Sequence, residues 1–145
     1  ELFTHDKDKV VLSIMNVSNL IETNFHTINE NATLGDLVKV IAKSQRNIVP
    51  VVDEENNLKG IVFINDIRHI MFDRDQYDKV NVKELMYMPS PVVTPDESME
   101  DVAQKFQTTK HYNLPVIENG KYQGFVSRAN VFSAYRRLLR SFSEE

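Results

Sequence analysis

The sequence contains no cysteine and no tryptophan, only four glycines, and no long apolar run. Without cysteine there are no disulfides, thiolate zinc sites or cysteine nucleophiles, which agrees with a reducing compartment. The few glycines form no P-loop or Rossmann spacing, and no G-x-S-x-G elbow is present. No stretch approaches the ~20 apolar residues that span a bilayer, and no signal-peptide pattern is seen. A net charge of -4 argues against nucleic acid as a partner, because phosphate-binding surfaces are basic. His5, His26, His69 and His111 show no i, i+4 pairing and no carboxylate at ligand spacing, so no metal site is expected. The pair Glu54-Glu55 reads as a solvated turn. An independent active site is therefore not expected.

What is there is a duplication. Over 145 residues, 41% hydrophobic and 26% charged, the chain can supply a core, but two units of about 60 residues would each be marginal alone. Placing Asn16 on Asn81 gives an offset of 65, which sets Val17 on Val82, Leu20 on Leu85 and Asp36 on Asp101. Pro50-Val51-Val52-Asp53 then falls on Pro115-Val116-Ile117-Glu118. Beyond that the second copy is one residue shorter, so Gly60 meets Gly124, Val62 meets Val126 and Asp66 meets Asn130. The gap falls in a turn, where a change of loop length costs little. The domains read as an N-terminal segment 1–15, repeat 1 at 16–72, a charged connector 73–80, repeat 2 at 81–137 and a tail 138–145.

Each repeat reads as strand, helix, strand, strand, helix. Leu34, Leu37, Val38, Ile41 and Ala42 form one apolar helical face, started by a capping box of Thr33 and Asp36. Ser98 and Asp101 repeat the device ahead of Met99, Val102, Ala103 and Phe106; core packing explains both stripes. Ile48–Val52 and Leu58–Ile64 read as a hairpin, and in the second copy Asn119-Gly120 is a strong hairpin turn because both residues tolerate positive φ. Pro50 and Pro115 are expected near strand starts or at an edge. A short strand precedes each long helix, at His26-Thr27-Ile28 and at Val92-Val93, and closing helices begin near Asn65 and Arg128. The fold class is α/β (α+β), with two β-α-β-β-α repeats packed pseudo-symmetrically through their sheets.

An apolar-Pro-Val-Val-Asp strand, a turn, Leu-x-Gly-Ile-Val and an acid six residues past the glycine resemble the CBS domain. Two copies from about Val17 to Tyr135 resemble a tandem CBS pair, or Bateman module. The resemblance implies a regulatory module and not an enzyme, with ATP, ADP, AMP or S-adenosylmethionine as candidate ligand between the repeats. In the family a Thr/Ser-x-x-Asp stretch after the glycine holds the ribose. Here the first copy has Phe63-Ile64-Asn65-Asp66, with the acid but no hydroxyl. The second has Ser127-Arg128-Ala129-Asn130, with the hydroxyl but an amide for the acid. A carboxylate accepts two hydroxyl hydrogen bonds, and a helix start offers N–H groups. The base would meet the residues before the strand proline: Asn47, Ile48 and Val49 in one copy, Tyr112, Asn113 and Leu114 in the other. Tyr112 or His111 is placed to stack on adenine; equally, Tyr112 covers the open end of its strand. Arg46, Lys110, His111 and Arg128 stand where phosphates would be met, or are ordinary solvated residues.

The first closing helix, Asn65–Phe72, and the tail Gly124-Phe125-Val126-Ser127 with Tyr135-Arg136 and Ser141-Phe142-Ser143 are similar as a region to the cytoplasmic C-terminal CBS pair of bacterial CLC-type chloride channels. That resemblance implies a homodimer attached to a transmembrane channel or transporter, on the cytoplasmic side of an inner membrane. The chain begins at Glu1 and not at Met, as expected of an excised piece. The alternatives are a ligand-free dimerisation module, or the regulatory part of a magnesium transporter or metabolic enzyme. In the tail, Val131, Phe132, Tyr135, Leu138, Leu139 and Phe142 share a helical face with Arg136, Arg137 and Arg140 off it. This face is expected to pack, against Leu12, Ile14 and Met15, rather than to lie on a membrane.

Overall fold

A computed structural model describes residues 6–143; His5, the rest of segment 1–5, and residues 144–145 lie outside the described residues. The elements are α1 (Asp6–Ile14), β1 (Ile28–Asn29), α2 (Leu34–Lys43), β2 (Ile48–Val52), β3 (Leu58–Phe63), α3 (Ile64–Ile67), α4 (Met99–Thr109), β4 (Asn113–Glu118), β5 (Lys121–Ser127) and α5 (Arg128–Ser143). They form two compact units. The central unit holds residues 24–90 and 119–122, and the terminal unit holds the chain up to 23, 91–118 and everything from 123 on.

In the central unit, Thr33 and Asp36 form the reciprocal capping box expected from the sequence, with both hydrogen bonds at 3.1 Å. Hydrogen bonds to the carboxylate from Thr33, its backbone N–H first and its hydroxyl second, hold the Asp36 carboxyl below its ordinary range. Leu34 and Leu37 are buried, and Val38, Val40 and Ile41 pack at the margin of the same cluster with Val49, Val51 and Val62. Ala42 is exposed, contrary to the expected stripe. Eight residues beyond Leu34 it has rotated about 80° off that line, and Val40 fills the face instead.

β1, β2 and β3 make one sheet in that order, with β1 parallel and β3 antiparallel to β2. Pro50 is therefore the middle residue of the central strand, not at its start or an edge. The geometry tolerates it because backbone groups of alternate residues face alternate neighbours. Val52 accepts from Glu30 on the β1 side, so Pro50 faces that side too. There β1 pairs only from Val51 onward, and no ladder bond is lost. The turn to β3 is fixed by Asp53, whose carboxylate accepts from the N–H of Glu55 and Asn57 and from the Asn57 amide. These bonds, with Asn57 first, lower its carboxyl. α3 is a single turn and ends at Ile67, well short of the helix to Phe72 that was expected. Beyond Ile67 the bonds mix i−3 and i−4 spacing, and the Tyr77 hydroxyl donates to the Met71 carbonyl at 2.7 Å.

The terminal unit repeats the scheme with a shorter sheet. Ser98 caps α4 by accepting from the Asp101 N–H at 3.1 Å, and Met99, Val102, Ala103 and Phe106 are all buried. β4 and β5 form the hairpin, with Asn119 at φ 53 and Gly120 at φ 83, the paired positive values of a type I′ turn. The strand expected at Val92-Val93 is a single parallel bridge from Val93 to Val116. α1 packs on α4 and α5. Val11, Leu12, Val131 and Tyr135 are buried together, with Met15, Leu138 and Leu139 at the edge. The tail face thus packs as expected, except that Ile14 stays 55% exposed and Phe142 40%.

One further feature organises both units. In the central unit the leading segment of repeat 2 bridges repeat 1's β3, with Tyr87 pairing antiparallel to Ile61. In the terminal unit the leading segment of repeat 1 bridges repeat 2's β5, with Glu22 pairing to Phe125 through bonds of 2.7 and 3.0 Å. Each bridge passes over a glycine. A Cβ on Gly60 would lie 3.0 Å from the Tyr87 carbonyl oxygen, and one on Gly124 would lie 2.4 Å from that of Glu22. The repeated Leu-x-Gly and Gln-Gly positions are therefore where a crossing backbone comes close. The boundary of the terminal unit at residue 23 follows from this exchange of leading segments.

Candidate functional site

In the central unit the start of α3 is pinned to the start of β2, because the Ile64 N–H donates to the Asn47 carbonyl at 3.0 Å. Asp66 is exposed on that single turn. Ile48 and Val49 are fully buried, backbone included, within the β2–β3 ladder, so neither meets a ligand as the resemblance implied. Bridged to β3 at Ile61 stands a residue that sequence reasoning missed, Tyr87, half-exposed and tilted against Phe63 with ring centroids 5.9 Å apart. Burial, and then the nearby Asp66 charge, push the Tyr87 phenol up. Arg46 lies over the Phe25 ring at 4.1 Å and donates to the Asn24 side chain at 3.0 Å. The hairpin tip 119–122 brings Tyr122 into this unit, where burial raises its phenol strongly and Arg46 opposes the shift.

In the terminal unit the Ser127 hydroxyl accepts from the Asn130 N–H at 3.0 Å and so opens α5, the bond expected of an N-capping hydroxyl. The Asn130 amide donates to a carboxylate oxygen of Glu22 at 2.8 Å. Arg128 is committed elsewhere. Its guanidinium donates to the Phe106 and His111 carbonyls and lies over the Phe106 and Phe132 rings. The charge thus sits where the last carbonyls of α4 lack helical partners. Its own N–H donates to the Tyr112 carbonyl at 2.9 Å. Tyr112 is 78% exposed, Asn113 half-buried and Leu114 buried. Lys110 is exposed in the left-handed conformation that ends α4.

The structure thus groups Asn47, Asp66 and Tyr87 in one unit and Ser127, Asn130 and Glu22 in the other. The offset of 65 sets Glu22 on Tyr87, the one signal in the sequence that links the two missed residues. Among the described residues, no His, Asp and Glu cluster suits a metal ion, and no helix is long and apolar enough to cross a membrane.

Two hydrogen-bonded helix starts, each beside a glycine-crossed bridge and repeated at one spacing, define a tandem repeat module. The CBS domain family model matches twice, at residues 17–73 and 82–137. The chain belongs to the CBS domain family and is a tandem CBS pair. Such pairs are regulatory modules and not catalysts, although relatives of this chain are parts of enzymes. It is 34% identical over 103 residues, 70% of its length, to an inosine-5'-monophosphate dehydrogenase of Bifidobacterium longum. The chain spans 18% of that enzyme and 24% of another curated relative. Among solved structures it resembles CBSX2 in complex with AMP, at 26% identity and TM-score 0.68, covering 85% of this chain and 97% of that one. It also shares the fold of the CBS domain of a bacterial CNNM/CorC family Mg2+ transporter in complex with ATP, at 19% identity and TM-score 0.73, covering 88% of this chain and 92% of that one.

Proposed function

We propose that this CBS pair senses an adenine nucleotide and reports its occupancy to a larger membrane transport protein, from the cytoplasmic side. The observation that carries the ligand is Asp66, an exposed carboxylate on the first turn of α3 next to the Tyr87 ring. A carboxylate for hydroxyls and an aromatic face suit a nucleoside. The AMP and ATP complexes of similar folds support the same class. For the attached protein, a magnesium transporter has the support of the CNNM/CorC fold match, whereas a CLC-type chloride channel rests on the regional sequence resemblance. An enzyme host is the second reading, favoured by the dehydrogenase relative. A homodimer belongs to the same proposal, since Val10, Ile14 and Phe142 leave apolar surface exposed.

Regulation requires the ligand to bind two conformations with different affinity. Calorimetry with ATP, ADP, AMP and S-adenosylmethionine tests the ligand. Saturable heat with at least one of them, weakened about tenfold or more by Asp66→Ala, is expected. Absence of heat at millimolar ligand refutes the reading.

A further inference from the structure

We propose that the terminal unit holds a cavity for a ligand of another class, a small amphipathic carboxylate. Its apolar tail lies on a floor made by the end of α1 and one face of α5, and its carboxylate meets Arg137. The inference goes beyond the nucleotide reading and does not depend on it.

Ala134, Arg137, Leu138 and Ser141 recur along α5 at the i, i+3, i+4, i+7 spacing of one helical face. Together with the end of α1 and the turn Val17–Leu20, they line a cavity of about 530 Å³. That lies within the range of small-molecule sites, about 300 to 1,000 Å³. The apolar floor is Ile14, Met15, Leu20, Ala134 and Leu138. Ala134 is buried, and Met15, Leu20 and Leu138 pack on the core cluster of the unit, so the core holds the floor in place. Ile14 is 55% exposed, apolar surface that a ligand tail would take out of water.

The polar groups around this floor are donors. Asn16 commits its side-chain oxygen to the Ser18 N–H and hydroxyl, at 3.0 and 2.8 Å, which leaves only its NH2 to offer. The Arg137 guanidinium, the Asn19 side-chain amide and the Ser141 hydroxyl make no hydrogen bond or ion pair with any described residue. Among the described residues that line the cavity there is no Asp or Glu and no aromatic ring. A nucleoside therefore finds neither an acid for its hydroxyls nor a face for its base, and Ser127 and Asn130 lie outside the lining. One cation with neutral donors beside it matches a single negative charge, and the guanidinium fork fits a carboxylate. A doubly charged phosphate would keep one charge without a partner. Asn19, Leu20 and Arg137 also border a smaller cleft beside Glu22, but Ile14, Met15, Ala134 and Leu138 do not, so the contacts of the tail are particular to this cavity.

The test titrates hexanoate, octanoate and decanoate, below micelle formation, into the chain and its Arg137→Gln and Ile14→Ser variants. Octanamide serves as the uncharged counterpart and AMP as competitor; backbone amide shifts locate binding and calorimetry measures it. Octanoate is expected to shift the Met15, Asn19 and Leu138 amides saturably. Affinity rises along the series by up to about fourfold for each added methylene. Arg137→Gln weakens octanoate about tenfold, the scale of one charge-assisted hydrogen bond, and leaves octanamide unchanged. Ile14→Ser, at an exposed position, weakens both, and AMP leaves the octanoate shifts in place. Absence of a saturable shift at these amides overturns the inference, as does equal binding of octanoate and octanamide by the wild-type chain. Displacement of octanoate by AMP also overturns it, since the cavity would then belong to a nucleotide site. Shifts of the same amides on dilution of the ligand-free chain overturn it too, because a second copy would then occupy the floor.

Discussion

Replacing Gly124 by alanine strikes the point where the leading segment crosses the terminal unit. Gly124 has φ +143, a region essentially reserved for glycine, and holding another residue there costs about 1–3 kcal/mol. The added Cβ would also lie 2.4 Å from the Glu22 carbonyl oxygen and 2.8 Å from the Ile21 side chain. Neither neighbour yields cheaply, because the closer atom is backbone. Relief requires Glu22 to move, which opens its two hydrogen bonds to Phe125, each worth about 1 kcal/mol net. The expected loss is therefore about 3–5 kcal/mol, a large share of the 5–15 kcal/mol typical of a domain. Gly120→Ala is the control. It has φ +83, but the only non-neighbouring atom near its Cβ is the Asn57 side-chain oxygen at 3.2 Å, so it should lose about 1 kcal/mol from backbone strain alone. Urea unfolding at constant m-value reads both losses. Hydrogen exchange at the Phe125 amide should accelerate in Gly124→Ala and stay unchanged in Gly120→Ala. A Gly124→Ala loss no larger than that of Gly120→Ala would refute the account of the crossing.

Two further outcomes follow from the same structure. Arg128→Gln should lower stability by about 2–3 kcal/mol, through charge-assisted bonds to two carbonyls and contact with two ring faces; unchanged urea midpoints would show that solvent replaces these contacts. Asp36 and Asp53 have lowered folded pKa values, so their stabilisation is present above the unfolded value of 3.8 and is lost as pH falls below it. Thermal unfolding should show Asp36→Asn and Asp53→Asn destabilised at pH 7, with the deficit shrinking toward pH 3; a deficit constant with pH would separate these effects from ionisation.

The fold was largely legible because its local signals agree with one another. The capping pairs at Thr33 and Ser98, the Asn119-Gly120 turn and the apolar runs after Pro50 and Pro115 each act over a few residues, and all point to one scheme. What misled were elements set by tertiary partners. Pro50 sits inside a three-stranded sheet because β1 begins late, a fact about a strand twenty residues away. Repeat 1's closing helix stops after one turn because its later bonding goes to Tyr77 and to mixed spacings, which the periodicity of Asn65–Phe72 does not show. Arg128 reads in sequence as an anion ligand, but the structure places it at the end of α4, through carbonyls that carry no sequence signature.

The candidate site was harder to read for a different reason. A sequence comparison along equivalent helix starts shows Asp66 against Asn130 and registers a loss. It sees no partner, because the carboxylate that accepts from Asn130 is Glu22 on the leading segment of repeat 1, 108 residues away. The exchange of leading segments makes that residue the neighbour of repeat 2's helix and not of its own. The same repeat register also sets Glu22 on Tyr87, so both halves of the swap lay in one alignment. What joined them was the crossing over Gly60 and Gly124, which decides which segment faces which helix. In a duplicated fold whose repeats trade their leading segments, a degraded motif in one repeat has to be judged against the segment leading the other.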